Sequence, residues 1–340
     1  MSAARPQIAY LVLSHTHPEL VARLSDRLLR GDAECHVVVD HDSAAQAIEP
    51  WLPRHPRLHT RVSDRPGGWG GYGLVSAVLD AFADMRRELD PDWIVLLSGQ
   101  DYPVQPPRDL REKLQSSATD VHLTVLCQVP DDASGGLARW WHVRYYFRWW
   151  SLPPLPSVLP LRIRRKRVHA VHRLSMAQRR LFIWSLPRGS GTRIGVPRAQ
   201  TPFSAGYPCW AGYQWLAVSR RGLETLEREL SARPELVELY KTSVIPDESL
   251  IQTVLLNAPD LVTAQPNLTF QRPTGEGDAH AAELTLDDLP AILASGRAFA
   301  RKMHPDRSRA LMDTLDERLG LLASGTAEDA SHSVSCASDE

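Results

Sequence analysis

Acidic residues are missing from one long stretch of this 340-residue chain: no Asp or Glu lies between Asp132 and Glu224, while Arg and Lys recur throughout it. The formal net charge of -1 conceals that asymmetry. A near-neutral protein with a basic middle has an anionic ligand, an anionic surface nearby, or a solvated basic face. Cysteine is sparse: Cys35, Cys127, Cys209 and Cys336 show no C-x-x-C or metal-ligand spacing, read as reduced thiols, and demand no oxidising compartment. Met1 to Pro6 holds no apolar signal core, and no run of about 18 apolar residues follows, so a cytoplasmic protein is expected. There is no internal repeat, no P-loop, no G-x-S-x-G elbow and no convincing G-x-G-x-x-G.

What is present alternates. Ile8 to Ser14 is nearly all apolar, as in a strand covered on both faces. Pro18 opens a helical pattern with Leu20, Val21, Leu24 and Leu28 on one side, ending near Gly31. Strands follow at Cys35 to Val39, Trp93 to Leu97 and Val121 to Leu126, with helices at Leu74 to Leu89 and Asp109 to Leu114. Such alternation predicts an α/β fold with a largely parallel sheet sandwiched by helices, where ligands bind beyond the carboxyl ends of the strands. Ser14, His15, Asp40 and Ser98 to Asp101 then share one rim. Trp140, Trp141, Trp149, Trp150, the prolines from Pro153 to Pro160 and the run Arg162 to Arg167 suit neither clean helix nor strand, so residues 134–200 read as a basic aromatic insertion. Strand Trp215 to Val218 and helices Gly222 to Leu230, Asp247 to Leu256 and Leu286 to Leu293 complete one domain over 1–323, and 324–340 reads as a disordered tail.

Pro246-Asp247-Glu248-Ser249 heads the apolar run Leu250, Ile251, Val254, Leu255. Either these acids cap a helix, or one of them enters the cleft as a general base, which transfer to an alcohol requires because the hydroxyl must lose its proton as the bond forms. Asp40-His41-Asp42 has the form of a metal-holding Asp-x-Asp, but its position suits a nucleoside contact by Asp40, and no metal site is expected. Arg301 and Lys302 form a basic loop or a phosphate clamp. Trp69 and Tyr72, in a glycine-rich loop, and Trp210 and Tyr213, around Gly212, are core aromatics or sugar platforms; Trp215 reads as core. His15/His17 and His169/His172 lack a third ligand and read as structural.

Seven segments together resemble one family, the core-2/I-branching N-acetylglucosaminyltransferases and the related peptide O-xylosyltransferases. They are AYLVLSH (from Ala9), VVVDHDS (from Val37), WGGYGLVSAVL (from Trp69), DWIVLLSGQDYPV (from Asp92), GYQWLAVSRRGLE (from Gly212), PDESLIQTVLLN (from Pro246) and FARKM (from Phe299), in the family's order. The resemblance implies a GT-A fold and inverting, metal-independent transfer. Glu248 matches the catalytic base, Arg301 and Lys302 the cations that hold the diphosphate, Asp40 the acid near the uracil, Trp69 a tryptophan beside the donor sugar, and Asp101 a cleft carboxylate. Where the family commonly places a further cation or polar group upstream of the last helix, this chain has Ala279 and His280.

These readings lead to transfer of GlcNAc or xylose from a UDP-sugar to a hydroxyl, giving a β-linkage, with Glu248 as base. Ser14, His15, Asp40, Trp69, Asp101, Arg301 and Lys302 sit on the donor side, and Trp210 and Tyr213 on the acceptor side. No cofactor beyond the donor is expected, and no nucleic acid. The acceptor is a glycan, a lipid-linked species or a small glycoside, with peripheral membrane contact through residues 139–198. The rival is a basic, Trp-rich protein that docks on a membrane surface or polyanion and carries a vestigial cleft. A glycosidase would need a second carboxylate across from Glu248, for which Asp101 is the candidate.

Overall fold

Ile8–Ser14 (β1) is buried at every position, as a strand with both faces covered must be. The computed structural model describes residues 7–66, 68, 70–131, 136–152, 182–185, 192–274 and 281–321. After β1 come α1 (Pro18–Gly31), β2 (Cys35–Asp42), β3 (Leu58–Ser63), α2 (Tyr72–Glu88), β4 (Trp93–Ser98), β5 (Asp101–Pro103), α3 (Pro107–Ser116), β6 (Val121–His122) and β7 (Val125–Gln128). The middle of the chain supplies α4 (Gly136–Tyr145), β8 (Phe147–Leu152), β9 (Phe182–Ser185) and β10 (Thr192–Pro197). Then follow β11 (Trp210–Gly212), β12 (Ala217–Ser219), α5 (Arg220–Ala232), α6 (Pro234–Lys241), a 3-10 turn (Pro246–Glu248) and α7 (Leu250–Leu256). The chain closes with β13 (Thr263–Ala264), β14 (Thr269–Gln271), α8 (Leu289–Ala294), β15 (Phe299–Arg301) and α9 (Arg309–Leu319).

The main sheet has the order β13-β6-β12-β4-β1-β2-β3. β4, β1, β2 and β3 run parallel, and β12 alone lies antiparallel, between β4 and β6. One face packs Ala9, Leu11 and Leu13 against α2, α5, α6 and α7; the other packs Tyr10 and Val12 against α1 and α3. The expected α/β class with a largely parallel, helix-covered sheet is what the chain forms.

Three smaller sheets accompany the main one among the described residues: β8-β10-β9, β11-β7 and β14-β15-β5. β14, β15 and β5 form a three-stranded sheet directly beyond the end of β4, in register Arg301↔Asp101. Its apolar side, with Tyr102, Ala300 and Met303, packs on Leu311, Met312 and Leu315 of α9. The Tyr102 hydroxyl donates to the buried Asp316 carboxylate at 2.7 Å, and Arg23 of α1 donates to the same carboxylate at 2.7 Å, which ties the small sheet to the main one.

Several sequence expectations change. Residues 139–198 contain regular structure after all: α4 and the antiparallel sheet β8-β10-β9, whose inner residues Phe147 and Trp149 are buried with Val244 and Ile245. The Asp247–Leu256 helix is broken at Ser249, where a 3-10 turn meets α7. Val121 to Leu126 is two short strands rather than one, and β3 and α9 were not anticipated. Ala279, His280 and 324–340 lie outside the described residues. Among the described residues no helix is long and apolar enough to cross a membrane.

Candidate active site

The Glu248 turn is set by a strained residue. Ile245 has φ 54° and ψ 54°, in the left-handed region, where a β-branched side chain is disfavoured by about 1–3 kcal/mol. Two hydrogen bonds hold it there: its N–H donates to the Gly70 carbonyl at 2.9 Å, and the buried Tyr145 hydroxyl donates to its carbonyl at 3.0 Å. Gly70 has φ 70°, which suits glycine, and Gly73 lies so close to Pro66 that a Cβ would come within 2.5 Å of its backbone. The turn is thereby fastened to the amino end of α2. Because α2 follows the carboxyl end of β3, the Glu248 turn lies toward the carboxyl-end rim of the sheet.

The Glu248 side chain is 28% exposed, and its Oε2 accepts from Nη1 of Arg144 at 2.7 Å. Arg144 itself is buried, with its guanidinium 4.2 Å from the Trp141 ring centre. Next door, Oδ1 of Asp247 is buried without a hydrogen-bond partner among the described residues. Burial first, and the charge of Glu248 second, push the Asp247 carboxyl up to about 7. The turn thus carries one oriented carboxylate and one that burial keeps protonated into the neutral range.

At the end of β4, Asp101 is buried, and its Oδ2 accepts from the Ser98 N–H at 2.7 Å. Across the register, Nε of Arg301 lies 3.5 Å from Oδ1 of Asp101, and the guanidinium sits 3.9 Å from the Trp215 ring centre. Burial raises the Asp101 pKa against the opposing pull of Arg301, and lowers that of Arg301. Nη1 of Arg301 is buried without a hydrogen-bond acceptor among the described residues. Lys302 follows, half-buried, its carbonyl accepting from the Leu284 N–H at 3.0 Å.

Asp40 is fully buried, with Oδ1 accepting from Ser63 at 2.5 Å and from Arg65 at 2.7 Å, and Oδ2 3.1 Å from Arg61. Ser14, also buried, donates to Nδ1 of His41 at 3.1 Å; the roles follow because Nε2 of His41 must donate to the Gln46 carbonyl, 2.7 Å away. His15 is exposed just past β1. Trp210 and Tyr213 are half-buried. Trp210 pairs through its backbone with Ser249 and Thr253, and Gln252 bridges the carbonyls of Tyr213 and Asp247 at 2.8 and 3.2 Å. Trp69 lies outside the described residues. A cavity of about 280 Å³ opens beside the amino end of α2, with Tyr72, Trp149, Arg193 and Lys241 in its wall.

Asp101, Arg301 and Lys302 therefore meet at one strand end, Ser14, His15 and Asp40 at neighbouring ends, and Glu248 at the α2 side of the same rim. Two contacts link the two sides: the Gln252 side chain, which donates to the carbonyls of Asp247 and Tyr213, and the ring of Trp215, two residues on from Tyr213, against Arg301. Three residues escaped the sequence reading. Arg144 stood in a segment without recognisable periodicity, Trp215 looked like plain core, and Arg65 carried no motif. Arg144 lies in the acid-free stretch, which signals a basic region but does not single out that arginine.

No protein-family model and no curated protein sequence matches the chain. Solved structures that it resembles include Rv0371c from Mycobacterium tuberculosis H37Rv, at 17% identity and TM-score 0.25, over 35% of this chain and 66% of that one. A Bacillus anthracis protein described as a glucose-1-phosphate thymidylyltransferase, in complex with a sucrose, matches at 8% identity and TM-score 0.32, over 76% and 86%. The apo structure of the bifunctional glycosyltransferase WbbM matches at 12% identity and TM-score 0.38; the match covers 94% of this chain and half of WbbM. With TM-scores of 0.25 to 0.38, none of these superpositions transfers a role to a residue.

Proposed function

We propose that the chain is an inverting glycosyltransferase that moves GlcNAc or xylose from a UDP-sugar to an acceptor hydroxyl, forms a β-linkage, and uses no metal. The observation that carries this reading is the oriented Glu248 carboxylate, anchored on buried Arg144 at 2.7 Å and sharing a rim with the buried Arg301–Asp101 pair. Glu248 takes the proton of the incoming hydroxyl as it attacks the anomeric carbon. The Arg301 guanidinium and the Lys302 ammonium then face the negative charge that collects on the departing UDP. Asp40 serves the nucleoside side indirectly, by holding Arg61 and Arg65 at the end of β2. With both of its oxygens engaged by arginines, Asp40 is poorly placed to ligate an ion.

Asp247 gives the reaction a pH signature. As it ionises near 7, a second negative charge appears beside Glu248 and strengthens it as a base. The expected kcat profile rises through that range, and Asp247→Asn removes the step. Stability runs the other way. The folded-state pKa lies above the unfolded value, so stability is full below the ordinary carboxylate range and falls as pH rises through about 7. Asp247→Asn removes that decline as well, which thermal melts at several pH values will read.

A thermal-shift screen of sugar nucleotides tests the donor assignment. A ligand at 100 times its Kd adds about 2.7 kcal/mol, so UDP and one UDP-sugar are expected to raise the Tm where guanosine and thymidine diphosphates do not. No shift with any uridine nucleotide would remove the transferase reading in favour of a binding protein.

A further inference from the structure

We propose that the cavity of about 280 Å³ beside the amino end of α2 binds a monosaccharide bearing one anionic group, a carboxylate or a phosphate, at a site separate from that of the sugar nucleotide. Its size lies at the lower limit of small-molecule pockets, about 300 Å³, and suits a single pyranose rather than a whole sugar nucleotide. Charge points to an anion. Arg193 of β10 lines the cavity while only 6% exposed, and burial lowers its pKa, so an anionic ligand stabilises the charge it carries there. Lys241 of α6 adds a second cation to the wall; its exposed ammonium pairs with Glu238 at 2.5 Å, so its pull is weaker. Among the described residues of the wall none is acidic. The amino end of α2 enters the same wall through Gly71, Tyr72 and Gly73. That helix starts with no side-chain cap and no acid in its first turn, so the positive end of its dipole adds to the field of the two cations.

Two aromatics favour a sugar over a bare ion. The Trp149 ring is fixed by its Nε1–H, which donates to the Val143 carbonyl at 2.9 Å, and by Gly195, where a Cβ would lie 2.8 Å from the ring. Tyr72, half-buried, brings a second ring and a hydroxyl. Such a wall matches a pyranose, whose C–H face is apolar and whose edge is polar. The cavity also touches the machinery of the turn. Nη1 of Arg193 donates to the Gly70 carbonyl at 3.2 Å, the same oxygen that accepts from the Ile245 N–H at 2.9 Å. The residue that meets the anion therefore shares an acceptor with the residue that sets the Glu248 turn, and an occupied cavity alters the rate at which Glu248 works. That last step rests on the transferase reading; the binding does not.

The test is isothermal titration of the full chain with glucuronate, galacturonate, glucose 6-phosphate, glucose and inorganic phosphate. At least one acidic sugar is expected to bind, and the carboxylated and phosphorylated arms identify the anion. Glucose and inorganic phosphate should bind at least about tenfold more weakly, and the Kd for UDP should not change when the acidic sugar is saturating. Arg193→Gln is expected to lower the affinity about 10–100-fold. Lys241→Gln, a change at an exposed side chain that leaves the fold in place, should lower it about two- to fivefold. The proposal would be overturned by no binding of any acidic sugar, by equal binding of glucose or phosphate alone, by competition with UDP, or by undiminished binding in both variants. Binding of an acidic sugar by a chain that shows no thermal shift with UDP would leave the cavity site standing and remove the transferase reading alone.

Discussion

Glu248→Gln is expected to bind UDP as the wild type does and to transfer sugar about 10²–10⁴-fold more slowly, the usual contribution of a general base. The substitution keeps the shape of the side chain and an oxygen that accepts from Arg144, so the turn and its anchor at Gly70 stay in place. It removes the capacity to take a proton. The loss should therefore fall on kcat, with little change in the donor KM, and the melting temperature should move little. Isothermal titration with UDP and a coupled UDP-release assay separate these quantities. A variant that turned over at the wild-type rate would show that Glu248 merely caps α7; one that no longer bound UDP would place it on the donor instead.

Arg301→Met is expected to damage both fold and turnover, for two separable reasons. The guanidinium faces a buried carboxylate, and stripping one partner from such a pair costs about 3–5 kcal/mol. Asp101 is already pushed toward its neutral form by burial, so protonation recovers part of that cost. Adding Asp101→Asn should recover most of the remainder, since an amide carries no charge to strand. Turnover should not return in the double variant. The cation proposed to stabilise the leaving diphosphate is still missing, and a single such group contributes about 10²–10³-fold. Urea melts against turnover in the two variants distinguish the roles: recovery of both quantities would make Arg301 a structural partner of Asp101 and nothing more.

The parallel core was legible because buried strands leave an unmistakable mark. Ile8 to Ser14 and Trp93 to Leu97 read as strands at sight, and α1 announced itself through Pro18 and the stripe from Leu20 to Leu28. The rim followed from that topology, and with it the neighbourhood of Ser14, Asp40 and Asp101. β3 left no such mark: its burial runs half-buried and exposed until Ser63, as an edge strand allows. Residues 139–198 misled for a physical reason. β8 and β10 form a sheet whose outer face carries Trp150 and Val196, so the polar-out alternation that identifies a strand is absent. What the sequence could not convey was pairing across distance. Arg144 reaches Glu248 over 104 positions, and Arg301 meets Asp101 only because β15 inserts beside β5. The left-handed Ile245 is a product of those tertiary contacts, since nothing local in an isoleucine predicts it.

In the proposed reaction, side chains take up the charge at the donor diphosphate and one carboxylate takes the proton at the acceptor. The most direct test is the rate of UDP release coupled to acceptor glycosylation, measured for the wild-type chain with excess EDTA and again with added manganese. The predicted result is the same rate in both. Activity lost in EDTA and restored by manganese would contradict it, and would move the diphosphate contact from Arg301 and Lys302 to a metal ion.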